Sequence, residues 1–149
     1  MLFRRAIVAF LILPGTVAFV VPLLWLSPRG ETAQRHWIAV LPLAVGFVLL
    51  LWCIRDFYVA GKGTLAPWDP PRNLVMVGLY RWSRNPMYLA VLLILAGWAT
   101  LFRSLPLLIY AAIVATAFHL RVLYGEEPWL ARRHGAAWSE YRGRVRRWF

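Results

Sequence analysis

Two polar clusters in this chain have residue types that could do chemistry: Arg84-Asn85-Pro86-Met87-Tyr88 and Glu126-Glu127. They bracket a long apolar stretch that reads as two membrane-spanning helices joined by a tight turn at 102–106. A helical hairpin returns its ends to one face, so the two clusters would meet although they lie far apart in sequence. Charged and amide side chains near lipid are costly unless paired or used, which makes such a meeting point a functional-site hypothesis.

Each cluster has two readings. Asn is a preferred N-cap and Pro a preferred first helical residue, so Asn85-Pro86 can simply start a helix. That helix N-terminus would also present free N–H groups and partial positive charge to a carboxylate or phosphate, with Arg84 and Tyr88 facing the same volume. Glu126-Glu127 holds two of six acidic residues and follows an apolar segment at Gly125, where a helix end is expected. The pair can bridge arginines such as Arg121, or Glu127 can cap a helix starting at Pro128. It can equally accept hydrogen bonds from a ribose diol, or face a cationic sulfonium beside aromatic rings.

The elements that must position these groups are membrane helices. With 61% hydrophobic residues in 149, the chain has too much apolar surface for one soluble core. We expect an all-α integral membrane protein forming a single domain. Its spans are expected at about 6–26, 37–59, 87–102 and 105–124, with a loop at 60–86 and a tail at 125–149. The first span reads as a retained anchor, because Leu26-Ser27-Pro28-Arg29 offers no small-residue cleavage site. Pro14-Gly15 at its middle predicts a kink.

The formal charge of +11 belongs to membrane flanks, not to nucleic acid. With both termini cytoplasmic, the outer loops hold only Arg29, Arg35 and Arg103, a strong positive-inside asymmetry. Sixteen arginines against one lysine hint at a GC-rich bacterium, hence a bacterial inner membrane. Cys53 is the lone cysteine, so no disulfide framework or thiol metal site is expected, and no metal site of any kind.

The 60–86 loop is long for a helix connection and rich in Gly and Pro, as functional loops are. Gly61-Lys62-Gly63 follows a membrane helix rather than a strand, so it fails as a dinucleotide fingerprint. It leaves open a plain turn or a close backbone approach to a ligand. In the tail, Trp138, Tyr141, Val145 and Trp148 recur at spacings of 3, 4 and 3, with Arg142, Arg144, Arg146 and Arg147 around the remainder. This pattern predicts a cytoplasmic interfacial helix lying on anionic lipid headgroups.

The segment Gly78 to Ala90, the hairpin, Glu126-Glu127-Pro128-Trp129-Leu130, and the tail from His134-Gly135 to Trp148 together resemble the isoprenylcysteine carboxyl methyltransferase and phospholipid methyltransferase superfamily. The resemblance runs from about Gly61 to the C-terminus. It implies S-adenosylmethionine as cofactor and Gly61, Gly63, Arg84, Asn85, Pro86, Tyr88, Glu126 and Glu127 as cofactor-binding positions. Asn85 stands where that family often has His. Asn can hydrogen-bond a ligand but cannot titrate near neutral pH, so it is no general base.

Methyl transfer from a sulfonium needs mainly alignment and exclusion of water. An ionised carboxylate acceptor needs no base, whereas an ammonium must first lose a proton. His119, Glu127 and Tyr88 are the available bases. Arg121 is the counter-charge for an anionic acceptor, or else a structural bridge to Glu126. The expected function is therefore methyl transfer to a lipophilic acceptor reached from the bilayer, such as an isoprenylcysteine-like carboxylate, with Arg121 and His119 as catalytic candidates. The alternatives are a phospholipid amine or thiol methyltransferase, or a non-catalytic scaffold or transporter subunit.

Overall fold

A computed structural model describes residues 11–27, 37–62 and 73–149. The expectations for Gly63, Arg29 and Arg35 lie outside these residues. The described chain is helical, and its only strand-like feature is an isolated parallel bridge between Ser83 and Arg146.

Helix α1 comprises Leu11–Val20 in wide π geometry and Val21–Leu26 in α geometry. Pro14 lies within the wide part. A proline removes one backbone donor and crowds the preceding turn, and a widened turn accommodates both, so the irregularity expected at Pro14-Gly15 takes this form. Helix α2 is Val40–Asp56, entered through a 3-10 turn at Trp37–Ala39 and extended by a wide turn at Phe57–Gly61. Lys62 ends it in the left-handed conformation with φ 50°.

Helix α3, Pro86–Leu101, starts with proline at its first position. Arg103 (φ 48°) reverses the chain, and Ser104 N–H closes the turn on Ala99 O at 3.0 Å. Helix α4, Leu105–Arg121, follows at once with Pro106 in its first turn. The predicted tight hairpin is therefore present. No break occurs at Gly125, where a helix end was expected. A wide turn at Val122–Glu126 carries the chain directly into α5, Glu127–Arg144. The break falls instead at Gly135, whose φ of 49° and ψ of −117° are open to glycine and not to helix.

Helices α2 and α3 pack antiparallel at backbone distance. A Cβ on Gly46 would lie 2.9 Å from Ala90 O, and one on Gly97 would lie 2.9 Å from Leu43 N. Small residues at such crossings are how helices approach closely in lipid. Around them Leu50, Val91, Ile94 and Leu95 are sealed from solvent, with Ala18 of α1 and Val114 of α4 completing the core. Trp98 Nε1 donates to Ala18 O at 2.9 Å, which ties α1 to α3.

Val40–Gly61 and the helical stretch Leu105–Arg144 are each long and apolar enough to cross a membrane. Pro14–Leu26 and Pro86–Leu101 are apolar but shorter. Leu41, Val48, Leu108, Ile109 and Ile113 point outward. Apolar faces of this extent are excluded from water in stable proteins, and lipid is the solvent that suits them. The alternating direction of α2, α3 and α4 brings the end of α2, the start of α3 and the end of α4 to one side of the bundle.

Candidate active site

At that side a cavity of about 660 Å³, counting its open mouth, is lined by Phe57 from the end of α2, Tyr80, Arg84, Asn85 and Tyr88 around the start of α3, and Glu126, Glu127, Trp138 and Tyr141. The wide turn at Val122–Glu126 delivers both carboxylates to it, in keeping with the tendency of π turns to occur at functional sites.

The two glutamates, adjacent in sequence, have different partners. Glu126 Oε1 accepts from the Tyr88 hydroxyl and from Arg121 Nε at 2.8 Å, and Arg121 Nε also lies 3.1 Å from the Tyr88 oxygen. Tyr88 is held from below by Phe118, whose ring stacks on it at 4.2 Å. Glu127 is taken by Arg147 in a two-pronged contact, Nε to Oε1 at 2.8 Å and Nη2 to Oε2 at 2.9 Å. Burial pushes Glu127 toward its neutral form. The Arg147 hydrogen bonds and the charges of Arg84, Arg147 and Arg142 outweigh that push and hold the carboxyl below its ordinary range.

Arg84 is the least satisfied group. Its side chain is only 9% exposed and Nη1 lies 3.0 Å from Glu127 Oε1, yet out of line for a hydrogen bond, so Nε and Nη1 are both buried and have no acceptor among the described residues. Burial lowers its pKa from the ordinary guanidinium value while Glu127 opposes the shift; a guanidinium stays charged regardless. The face of Trp138 lies 5.5 Å from its guanidinium carbon.

The structure thus brings together Arg84, Asn85, Tyr88, Glu126 and Glu127 of the predicted cofactor set. Pro86 is buried at the start of α3 and lies behind the wall. Gly61 is buried and its carbonyl accepts Asn73 N–H at 3.3 Å, which places it one residue behind the lining Asn73. Asn85 occupies the N-cap of α3, but its side chain makes no cap hydrogen bond; Nδ2 donates instead to Arg147 O at 3.0 Å. Arg121 touches the site through Glu126 and Tyr88. His119 is exposed, rests against Trp148 with ring centroids 6.1 Å apart, and does not line the cavity.

The tail departs from the predicted helix. Trp138 and Tyr141 are buried, and the Tyr141 hydroxyl donates to Tyr80 O at 2.7 Å, so these rings form the cavity wall and not a lipid-facing stripe. The helix stops at Arg144, and Val145 is extended (φ −115°, ψ 129°). Arg147, expected among lipid-facing arginines, turns inward to Glu127. The aromatic spacing alone marked the buried face, and no feature of the sequence singled out Arg147 from its neighbours.

The sequence profile of phospholipid methyltransferases matches residues 34–137, well over half of the chain and including both polar clusters. The chain belongs to the phospholipid methyltransferase family. It is accordingly a member of the integral membrane methyltransferases; the match ends ahead of Trp138, Tyr141 and Arg147. Comparison with curated proteins and with solved structures returned no match.

Proposed function

We propose that this member of the phospholipid methyltransferase family transfers a methyl group from S-adenosylmethionine to a lipophilic acceptor arriving from the bilayer. The observation that carries this reading is the convergence, in one cavity, of aromatic faces, a carboxylate pair and a buried guanidinium with unfilled donors. The residues suit the cofactor. Arg84 would take its carboxylate, Glu126 its ribose or ammonium end, with Glu127 held beside them by Arg147, and Tyr80, Tyr88, Trp138 and Tyr141 the cationic centre, with Asn85, Pro86 and Gly61 shaping the backbone around it. Bound there, the cofactor supplies a sulfonium-activated methyl group.

What remains for the chain is orientation and dryness. The stacked Tyr88–Phe118 pair and the Trp138–Tyr141 wall keep water from the reacting volume. Asn85 is neutral at all relevant pH values and moves no proton. Arg121 lies next to Tyr88, where an anionic acceptor such as an isoprenylcysteine-like carboxylate would share its charge with Glu126. The family match favours a second acceptor class, a phospholipid amine. In the membrane we place four spans with both termini and the 60–86 loop on the cytoplasmic side, consistent with the arginine asymmetry.

The test is incubation of the purified protein with methyl-labelled S-adenosylmethionine and a total bacterial lipid extract, followed by identification of the labelled species. A labelled lipid names the acceptor. No labelled product, together with no cofactor binding by calorimetry, would refute the proposal.

A further inference from the structure

Resting on the reading of the cavity as a cofactor site, we propose that the C-terminal segment Val145–Phe149 completes that site, with Arg147 as the positioning residue that sets Glu127. The segment leaves α5 in extended form and lies along 83–85. Arg84 N–H donates to Arg146 O at 2.9 Å, and Arg147 O receives both Asn85 Nδ2 at 3.0 Å and Ser83 Oγ at 3.3 Å. Two consecutive tail carbonyls thus hold the three residues that lead into α3. Trp148, next in sequence, rests on His119 at the end of α4. The tail therefore joins the loop before α3, the start of α5 and the end of α4.

The Arg147 side chain turns into this junction. Its fork engages both oxygens of Glu127, a carboxylate only 8% exposed, in the paired geometry that guanidinium makes with a fixed carboxylate. Arg84 adds a second cation on Oε1. Both oxygens of Glu127 are therefore occupied by protein. The hydrogen bonds that Glu126 accepts among the described residues all fall on Oε1. The pair divides its work: Glu126 offers an oxygen to a ligand, while Glu127 is the anchor through which the tail fixes Arg84 and the start of α5.

The groups facing Glu127 are Arg84 ahead of α3, Arg147 in the tail and Arg142 on α5, with Glu126, His134 and Tyr141 in the same cavity wall. Without Arg147, burial still penalises the ionised carboxylate while its best counter-charge is gone. Glu127 would then take up a proton at higher pH, and the anchor would fail there.

Calorimetry with S-adenosylhomocysteine, the demethylated form of the cofactor, on the purified full chain from about pH 4 to about pH 8 tests this. Wild type and R144Q, whose arginine is exposed and paired only with Glu140 among the described residues, should bind alike. R147Q should bind about tenfold more weakly or worse, with its acid loss of binding moved to higher pH. R147K, which restores charge without the fork, should recover the pH profile and only part of the affinity. Wild-type affinity and pH profile in R147Q would overturn the proposal, as would tighter binding, which would make the tail a competing latch. Should R147Q fail to fold, R147K decides: affinity equal to wild type overturns it. A wild-type protein that binds no probe at any pH removes the cofactor reading itself, and this inference with it.

Discussion

Glu126→Gln separates ligand binding from stability at this site. The Glu126 side chain is 33% exposed and its Arg121 partner 50% exposed, so the ion pair lies in the solvent-screened regime, where such pairs contribute about 0 to 1 kcal/mol. Gln keeps the volume and an oxygen to accept from Tyr88 and Arg121, so the fold should lose no more than that. A ligand group bound to the carboxylate loses a charge-assisted hydrogen bond, about 1.5 to 3 kcal/mol, or roughly 10- to 150-fold in Kd. Calorimetric titration with S-adenosylmethionine, alongside chemical unfolding of the same samples in detergent, measures both quantities. A Kd within about twofold of wild type would refute the assignment of Glu126 as a ligand group. So would an affinity loss matched by an equal loss of stability, since that would make the residue a bridge alone.

Gly78→Ala should destabilise the fold by about 2 to 4 kcal/mol, because φ is +56° and the new Cβ would collide with the buried Asp56 carboxylate; an unfolding free energy within about 0.5 kcal/mol of wild type would refute this. Glu127 is held below its ordinary value of 4.5, so the stability it adds is complete above about pH 4.5 and is lost as pH falls through the lower folded value. Arg147→Gln should shrink that acid-sensitive contribution, and denaturation midpoints that superimpose with wild type between about pH 3 and pH 7 would count against it. Cysteine introduced at the exposed Arg103 should react with an impermeant thiol reagent on intact cells while cysteine at Lys62 stays unlabelled; the reverse pattern would put the cavity on the side away from cellular cofactor. If the acceptor is a carboxylate, the methylation rate should be flat between about pH 6 and pH 9, whereas a rate that climbs with pH would exclude it in favour of an amine or thiol.

The helices from α2 to α4 were legible because their signals are local. Apolar runs set their lengths, Pro86 and Pro106 mark two starts, and Arg103-Ser104 interrupts the longest run. The meeting of the two polar clusters followed from the hairpin. What stayed hidden depends on partners distant in sequence. Gly125 carries the usual mark of a helix end, yet the backbone there stays helical and widens, since Glu126 and Glu127 find arginines at positions 121 and 147. The 3-4-3 spacing of Trp138, Tyr141, Val145 and Trp148 fits a helix as far as Tyr141. Beyond Arg144, carbonyls that a helix would satisfy internally receive donors from 83–85 instead, and no pattern within the tail encodes that competition.

Three arginines, at 84, 121 and 147, form ion pairs with two glutamates, at 126 and 127. Arg121 and Arg147 are each matched in a close hydrogen-bonded pair, so the surplus positive charge of these three rests on Arg84, whose Nε and Nη1 have no acceptor among the described residues. A buried donor without an acceptor is costly, and an anionic group of a ligand removes that cost on entry. Asn85 adds no charge to the balance at any pH, and its amide is engaged with the tail. The same cavity offers ring faces and the carboxylate of Glu126 to positive charge. A ligand carrying one carboxylate and a cationic centre satisfies both ends at once, whereas a wholly anionic or wholly cationic molecule leaves one of them unmet.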